Sequence, residues 1–143
     1  MTRMSGRAFV DTNVLVYAFD DADAKKRDAA RSLLGASDGP DLVLSTQVLA
    51  EFYVVVTGKF AKPVTAEDAA SAVTALARLP VVATDAALVQ AAIGLSQERQ
   101  LSLWDALIVE AAAVARCEIL LTEDLDTGAT IRGVRVENPF AES

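Results

Sequence analysis

The sequence predicts an α/β protein with a mostly parallel sheet, because short β-branched segments alternate with longer alanine-rich segments of helical spacing. At 143 residues, 52% of them hydrophobic, the chain is long enough to bury one substantial core. No internal repeat, low-complexity stretch or linker divides it. We therefore expect a single domain over residues 1–143, with a core from about residue 7 to residue 140.

Five short apolar segments are predicted to be strands, since each is rich in Val, Ile or Leu and is bounded by polar or turn-forming residues. In chain order they cover residues 8–10, 42–44, 81–82, 119–121 and 134–136. In open parallel sheets, sites form beyond the carboxyl ends of the strands. Polar residues that directly follow these strands are therefore the first candidates for function.

Helices are predicted between the strands from apolar spacing and from start signals. Residues 22–34 form one helix with a basic face, and a second helix follows the second strand. Leu88, Ala92 and Leu95 share one face of a later helix. Capping boxes that begin at Thr65 and at Ser102 mark two further helix starts.

The composition excludes several kinds of chemistry. The chain has no histidine, which removes histidine-dependent triads, histidine-based ribonuclease chemistry and the H-E-x-x-H zinc site. A phosphate-binding P-loop is also absent, because Tyr53 stands where the motif ending in Gly58 and Lys59 requires glycine. The net charge of -7 argues against nucleic-acid binding by overall electrostatics, although bound cations would still permit a nuclease.

Cysteine usage and hydropathy indicate a cytoplasmic protein. The single cysteine, Cys117, cannot form an internal disulfide and fits a reducing compartment as a buried thiol. No apolar run approaches the ~20 residues of a membrane span. Residues 1–7 lead into a strand and lack the apolar region of a signal peptide.

Four carboxylates lie at the edges of apolar segments: Asp11, Glu51, Asp105 and Asp124. An ionised carboxylate in apolar surroundings is costly unless a cation compensates it, and none of the four segments contains Lys or Arg. The sequence therefore favours a fold that gathers these acids around metal ions, as in a metal-dependent hydrolase.

Each acid also has an ordinary structural explanation. Asp105 fits the third position of a capping box, and Glu51 could be a solvated residue of an amphipathic helix. Asp11 could belong to a simple strand-to-helix turn. Asp124 lies in an acidic loop beside Asp126. The metal-site interpretation rests on the four acids taken together.

These motifs, in this order, resemble a PIN domain over about residues 7–140. They are Asp11-Thr12-Asn13-Val14-Leu15, a helical Glu51, Ser102-Leu103-Trp104-Asp105-Ala106-Leu107-Ile108 and Leu120-Leu121-Thr122-Glu123-Asp124. The terminal Val134-Arg135-Val136-Glu137-Asn138-Pro139-Phe140 is similar to small bacterial PIN toxins of the VapC type. The resemblance implies a three-layer α/β/α fold and an Mg²⁺- or Mn²⁺-dependent ribonuclease. It also implies an antitoxin partner and a homodimer.

The resemblance carries the family's catalytic and metal-binding positions over to Asp11, Glu51, Asp105 and Asp124. Thr12, Asn13 and Thr122 match its supporting polar positions. An aromatic residue often closes the acidic loop in the family, whereas Thr127 and Gly128 follow Asp126 here. Asp126 therefore stays open as an alternative to Asp124.

The implied reaction is hydrolysis of RNA phosphodiester bonds by metal-activated water. RNA backbone could contact the basic residues Lys25, Lys26, Arg31, Lys59 and Lys62, although a solvated surface explains them at least as well. Two other functions stay open. One is a PIN-like domain that binds a partner without catalysis, and the other is a receiver-like phosphoacceptor, whose expected adjacent acids and lysine are misplaced here.

Overall fold

The computed structural model describes residues 6–141, which contain six strands and six helices. The strands are β1 (Arg7–Val10), β2 (Asp41–Ser45), β3 (Val81–Val82), β4 (Ile119–Leu121), β5 (Thr130–Ile131) and β6 (Val134–Glu137). The helices are α1 (Thr12–Tyr17), α2 (Ala24–Gly35), α3 (Thr46–Gly58), α4 (Ala66–Leu76), α5 (Ala86–Arg99) and α6 (Leu103–Val114). Most of the N-terminal segment predicted to lead into the first strand, residues 1–5, lies outside the described residues.

The strands form one sheet in the order β3-β2-β1-β4-β6-β5. All neighbours in it are parallel except β5 and β6. The predicted α/β class with a mostly parallel sheet is thus confirmed. Because β1, β2 and β4 run in the same direction, their carboxyl ends lie at the same edge of the sheet.

The sixth strand, β5, was not predicted. It has two residues and pairs with β6 through the turn Arg132-Gly133, whose φ angles are 53° and 80°. Two successive residues with positive φ are typical of the tight turns that join antiparallel strands. A two-residue strand carries no measurable alternation, so this turn was the signal in the sequence that could have revealed it.

The core is built from the sheet and from one face of each larger helix. Phe9, Leu44 and Leu120 are fully buried on three adjacent strands. The predicted face of α5 is confirmed, since Leu88, Ala92 and Leu95 are all buried. Helix α6 packs against β2, β4 and β6 as well as α5, while α3 packs against α1, α4 and β2.

Side-chain caps mark where all six helices begin, and three of these caps bear on the sequence predictions. Thr65 and Ser102 accept hydrogen bonds from the backbone N–H groups of Asp68 (3.1 Å) and Asp105 (3.0 Å), as the capping boxes predicted. Helix α2 begins at Ala24, two residues later than predicted, because the side chain of Asp23 caps it through the N–H of Lys26. Over residues 6–141, no helix combines the length and the apolar character that a membrane span requires.

Candidate metal centre

The carboxyl edge of the sheet opens into a cavity of about 380 Å³. Asp11, Glu51, Asp105 and Asp124 all line it, so the fold brings together the four acids singled out from the sequence. Asp126 does not line this cavity. The geometry favours Asp124 as the fourth acid.

Asp11 is the most buried of the four acids, with 7% of its surface exposed. It follows β1 directly, where its N–H donates to the Leu121 carbonyl at the end of β4 (3.0 Å). One carboxylate oxygen accepts from the N–H of Thr12 (2.7 Å) and the other from the Thr122 hydroxyl (2.7 Å). Burial raises the pKa of Asp11 to about 6, although these hydrogen bonds oppose the shift.

Glu51 and Asp105 approach the cavity from two helices. Glu51 lies in the second turn of α3, and its carboxylate accepts a hydrogen bond from the Thr12 hydroxyl (2.8 Å). Asp105 lies in the first turn of α6, whose start is capped by Ser102, and it lines the cavity. Asp105 therefore takes part in the cap of α6 and also lines the cavity, so the two explanations of this residue do not exclude each other.

Asp124 lies in the loop after β4. Its carboxylate accepts from the Asn13 side-chain amide (3.0 Å), and its N–H donates to the Thr122 hydroxyl (3.1 Å). Burial raises the pKa of Asp124, and the nearby negative charge of Asp105 adds to the rise. The hydroxyl of Thr122 thus joins Asp11 to the segment that carries Asp124.

The donor set suits a hard divalent cation. Four carboxylates line one cavity, and their mutual repulsion contributes, after burial, to the raised pKa values of Asp11 and Asp124. Within residues 6–141, no three acidic or cysteine side chains converge closely enough to hold an ion by themselves. Mg²⁺ usually keeps several water ligands beside one or two carboxylates, so water would have to complete its coordination here.

Sequence reasoning missed several other residues of this region. Trp104 and Gln47 line the cavity, and the Gln47 side-chain amide donates to the Trp104 carbonyl (3.4 Å), joining α3 to α6. Their places directly before Asp105 and four residues before Glu51 were the available signals. Of the basic residues considered for RNA contact, Lys59 lines the cavity, whereas Lys26 pairs with Glu123 (3.0 Å).

This architecture is that of an α/β protein with an acidic site at the carboxyl edge of a parallel sheet. The family model described as PIN domain matches residues 8–131. The chain therefore belongs to the PIN domain family. The receiver-like alternative is left without support.

Solved structures share the fold. A toxin–antitoxin complex from Klebsiella pneumoniae matches with a TM-score of 0.66 and 23% identity, covering 92% of this chain and 97% of its own. VapC20 from Mycobacterium tuberculosis, described as a sarcin–ricin loop cleaving toxin, matches with a TM-score of 0.64 and 23% identity over 82% and 91%. VapBC2 from Rickettsia felis, bound to a promoter DNA fragment, matches with 0.63 and 22% over 92% and 98%. No curated protein sequence matches significantly.

Proposed function

We propose that this chain is a divalent-metal-dependent endoribonuclease and the toxin of a toxin–antitoxin pair. The observation that carries the proposal is the cavity lined by carboxylates from four separate segments of the chain. Asp11, Glu51 and Asp124 each accept a hydrogen bond from the side chain of one of the predicted supporting residues. PIN domains are generally nucleases, and similarly folded proteins include toxin–antitoxin complexes and a toxin that cleaves the sarcin–ricin loop.

In this proposal, Asp11, Glu51 and Asp105 would hold Mg²⁺ or Mn²⁺ partly through water ligands of the ion, and Asp124 would complete the site directly or through water. When bound there, the ion would lower the pKa of a water ligand and place positive charge against the phosphate. Thr122 and Thr12 orient the carboxylates of Asp11 and Glu51 through their hydroxyl groups. Asp11 must lose its proton to bind the ion, so its raised pKa couples metal uptake to pH.

The proposed partners are RNA as substrate, a cognate antitoxin, and a second copy of the chain in a cytoplasmic homodimer. Toxin–antitoxin complexes among the similarly folded structures support the antitoxin. Exposed apolar side chains support protein contacts, since Val54 and Trp104 are 59% and 62% exposed on the cavity wall. The same surface also suits the second candidate, a PIN domain that binds a partner without catalysis.

The test compares RNA cleavage by the wild type and by Asp11→Asn, with Mn²⁺ and with EDTA. Loss of a metal ligand should lower the rate by about a hundredfold or more, and EDTA should abolish cleavage. Circular dichroism checks that the variant is folded. Folded Asp11→Asn protein that cleaves RNA at the wild-type rate would refute the proposed metal-dependent mechanism.

Growth after induction tests the biological role. Wild-type protein without its antitoxin should arrest growth, while Asp11→Asn should not. A wild type that neither cleaves RNA nor arrests growth, yet binds a partner, would favour the non-catalytic candidate.

A further inference from the structure

Beside the acid-lined cavity lies a second group of polar and aromatic side chains, which we call the Lys26 cluster. It consists of Tyr17 at the end of α1, Lys26 in α2, Glu123 in the loop after β4, and Phe140 near the end of the described chain. These residues come from four separate regions of the sequence. Lys26 was considered only for contact with RNA, and the sequence analysis gave the other three no role.

Glu123 is the centre of the cluster. One of its carboxylate oxygens accepts from the Tyr17 hydroxyl (2.7 Å), and the other accepts from the Lys26 ammonium (3.0 Å). Lys26 also donates to the Tyr17 hydroxyl (3.3 Å). Its ammonium lies 4.7 Å from the centroid of the Tyr17 ring and 5.5 Å from that of Phe140, and the two rings meet edge to face.

Glu123 connects the Lys26 cluster to the acid-lined cavity through its neighbours in the chain. Glu123 stands between Thr122, whose hydroxyl donates to Asp11, and Asp124, which lines the cavity. Residues 122–129 form neither helix nor strand, and the backbone hydrogen bonds that join this segment to β6 lie at its ends, at Thr122, Gly128 and Ala129. The ion pair of Glu123 with Lys26 ties the segment to a helix 97 residues earlier in the chain.

We propose that Lys26 is a positioning residue that, through Glu123, holds residues 122–124 so that Asp124 faces the cavity. The inference rests on the proposed metal site for its effect on function. An exposed ion pair usually contributes little to stability. Here the side chains of Lys26 and Glu123 are 33% and 20% exposed, and a tyrosine hydroxyl and two aromatic rings complete the group.

A positioning role and a purely electrostatic role of Lys26 predict opposite changes in Mn²⁺ affinity when its charge is removed. If Lys26 mattered by its charge, Lys26→Met would make the site more negative and Mn²⁺ would bind more tightly. If Lys26 positions the segment, Mn²⁺ should bind about tenfold more weakly, as is typical when a group supporting a metal ligand is lost. Lys26→Arg keeps the charge and the donors, and should restore binding.

The experiment measures Mn²⁺ affinity of the full chain by calorimetry and amide hydrogen exchange across residues 122–126. The matched control is Arg27→Met, which removes the neighbouring cation and its surface ion pairs with Asp21 and Asp28. Lys26→Met should weaken Mn²⁺ binding and speed exchange in this segment, while Arg27→Met should change neither. In an Asp124→Asn background, Lys26→Met should cause no further loss of affinity.

Unchanged or tighter Mn²⁺ binding by Lys26→Met, with unchanged exchange, would overturn the positioning role and leave the proposed nuclease intact. A wild type that takes up no Mn²⁺ would instead refute the proposed metal site. Hydrogen exchange would then decide the inference by itself, because faster exchange confined to Lys26→Met supports the tether and unchanged exchange rejects it.

Discussion

Asp11 combines a structural and a chemical role in one side chain. It caps α1 by accepting the N–H of Thr12, and the same carboxylate lines the cavity and accepts from Thr122. An explanation as a strand-to-helix turn is therefore correct for its backbone. It does not account for the buried charge, whose hydrogen bonds only partly offset the cost of burial.

The pKa of Asp11 predicts how stability depends on pH. In the folded chain this pKa is about 6, above its ordinary value of 3.8, so the folded state binds more protons between these values. Without divalent metal, the stabilisation by protonated Asp11 is complete below pH 3.8 and is lost as the pH rises through 6. The loss is roughly 3 kcal/mol.

Thermal unfolding in EDTA across this range measures the effect, and Asp11→Asn is the control that should flatten the curve. Added Mn²⁺ should stabilise the wild type increasingly as the pH rises, because the ion binds ionised Asp11. A melting temperature indifferent to Mn²⁺ above pH 6 would argue against a clustered metal site.

The two acids of the β4 loop should differ in their importance. Asp124→Asn should slow RNA cleavage. The effect should be smaller than that of Asp11→Asn, because Asp124 is exposed whereas Asp11 is buried. Asp126→Asn should leave the rate close to that of the wild type, since Asp126 lies outside the cavity. Cleavage rates of the two variants at saturating Mn²⁺ decide, and a larger effect at Asp126 would reverse the assignment.

Helix α3 shows how one element serves two surfaces. Its run of apolar residues from Phe52 to Val56 is divided between the core and the surface. Phe52 and Val56 are fully buried in the core, whereas Val54 is 59% exposed beside the cavity. The helix therefore supports the core and presents an apolar surface near the site.

Capping of α6 should affect both stability and metal binding. Ser102→Ala removes the cap of the helix that carries Asp105, and Thr65→Ala removes the equivalent cap of α4. Each should lower the free energy of unfolding by about 1 kcal/mol. Only Ser102→Ala should also weaken Mn²⁺ binding, since no described residue of α4 lines the acidic cavity. Denaturant unfolding and Mn²⁺ titration of both variants test this, and equal Mn²⁺ affinities would contradict it.

Several large apolar side chains are exposed on the surface of the described residues. Val114 and Trp104 are 66% and 62% exposed, and Leu49, Tyr53 and Val73 line an apolar groove between α3 and α4. We expect light scattering at tens of micromolar protein to give twice the mass of the chain. A clean monomer at that concentration would contradict the homodimer.

The sequence by itself determined the α/β class, the order of the main elements and the four acids around the cavity. These features depend on local signals, namely apolar periodicity, capping residues and carboxylates next to apolar strands. Each signal lies within a few residues of the feature that it predicts. These features can therefore be predicted one segment at a time, and the order of the family's motifs gives the order of the segments.

Only the tertiary structure placed Asp124 and not Asp126 at the cavity, paired β5 with β6, and gave Lys26 its partner Glu123. Each of these depends on how distant segments approach one another in space. The contacts of Asn13 with Asp124 and of Thr122 with Asp11 each span 111 residues. Such pairs leave no periodic pattern in the sequence, because their spacing along the chain is set by the strand order of the sheet.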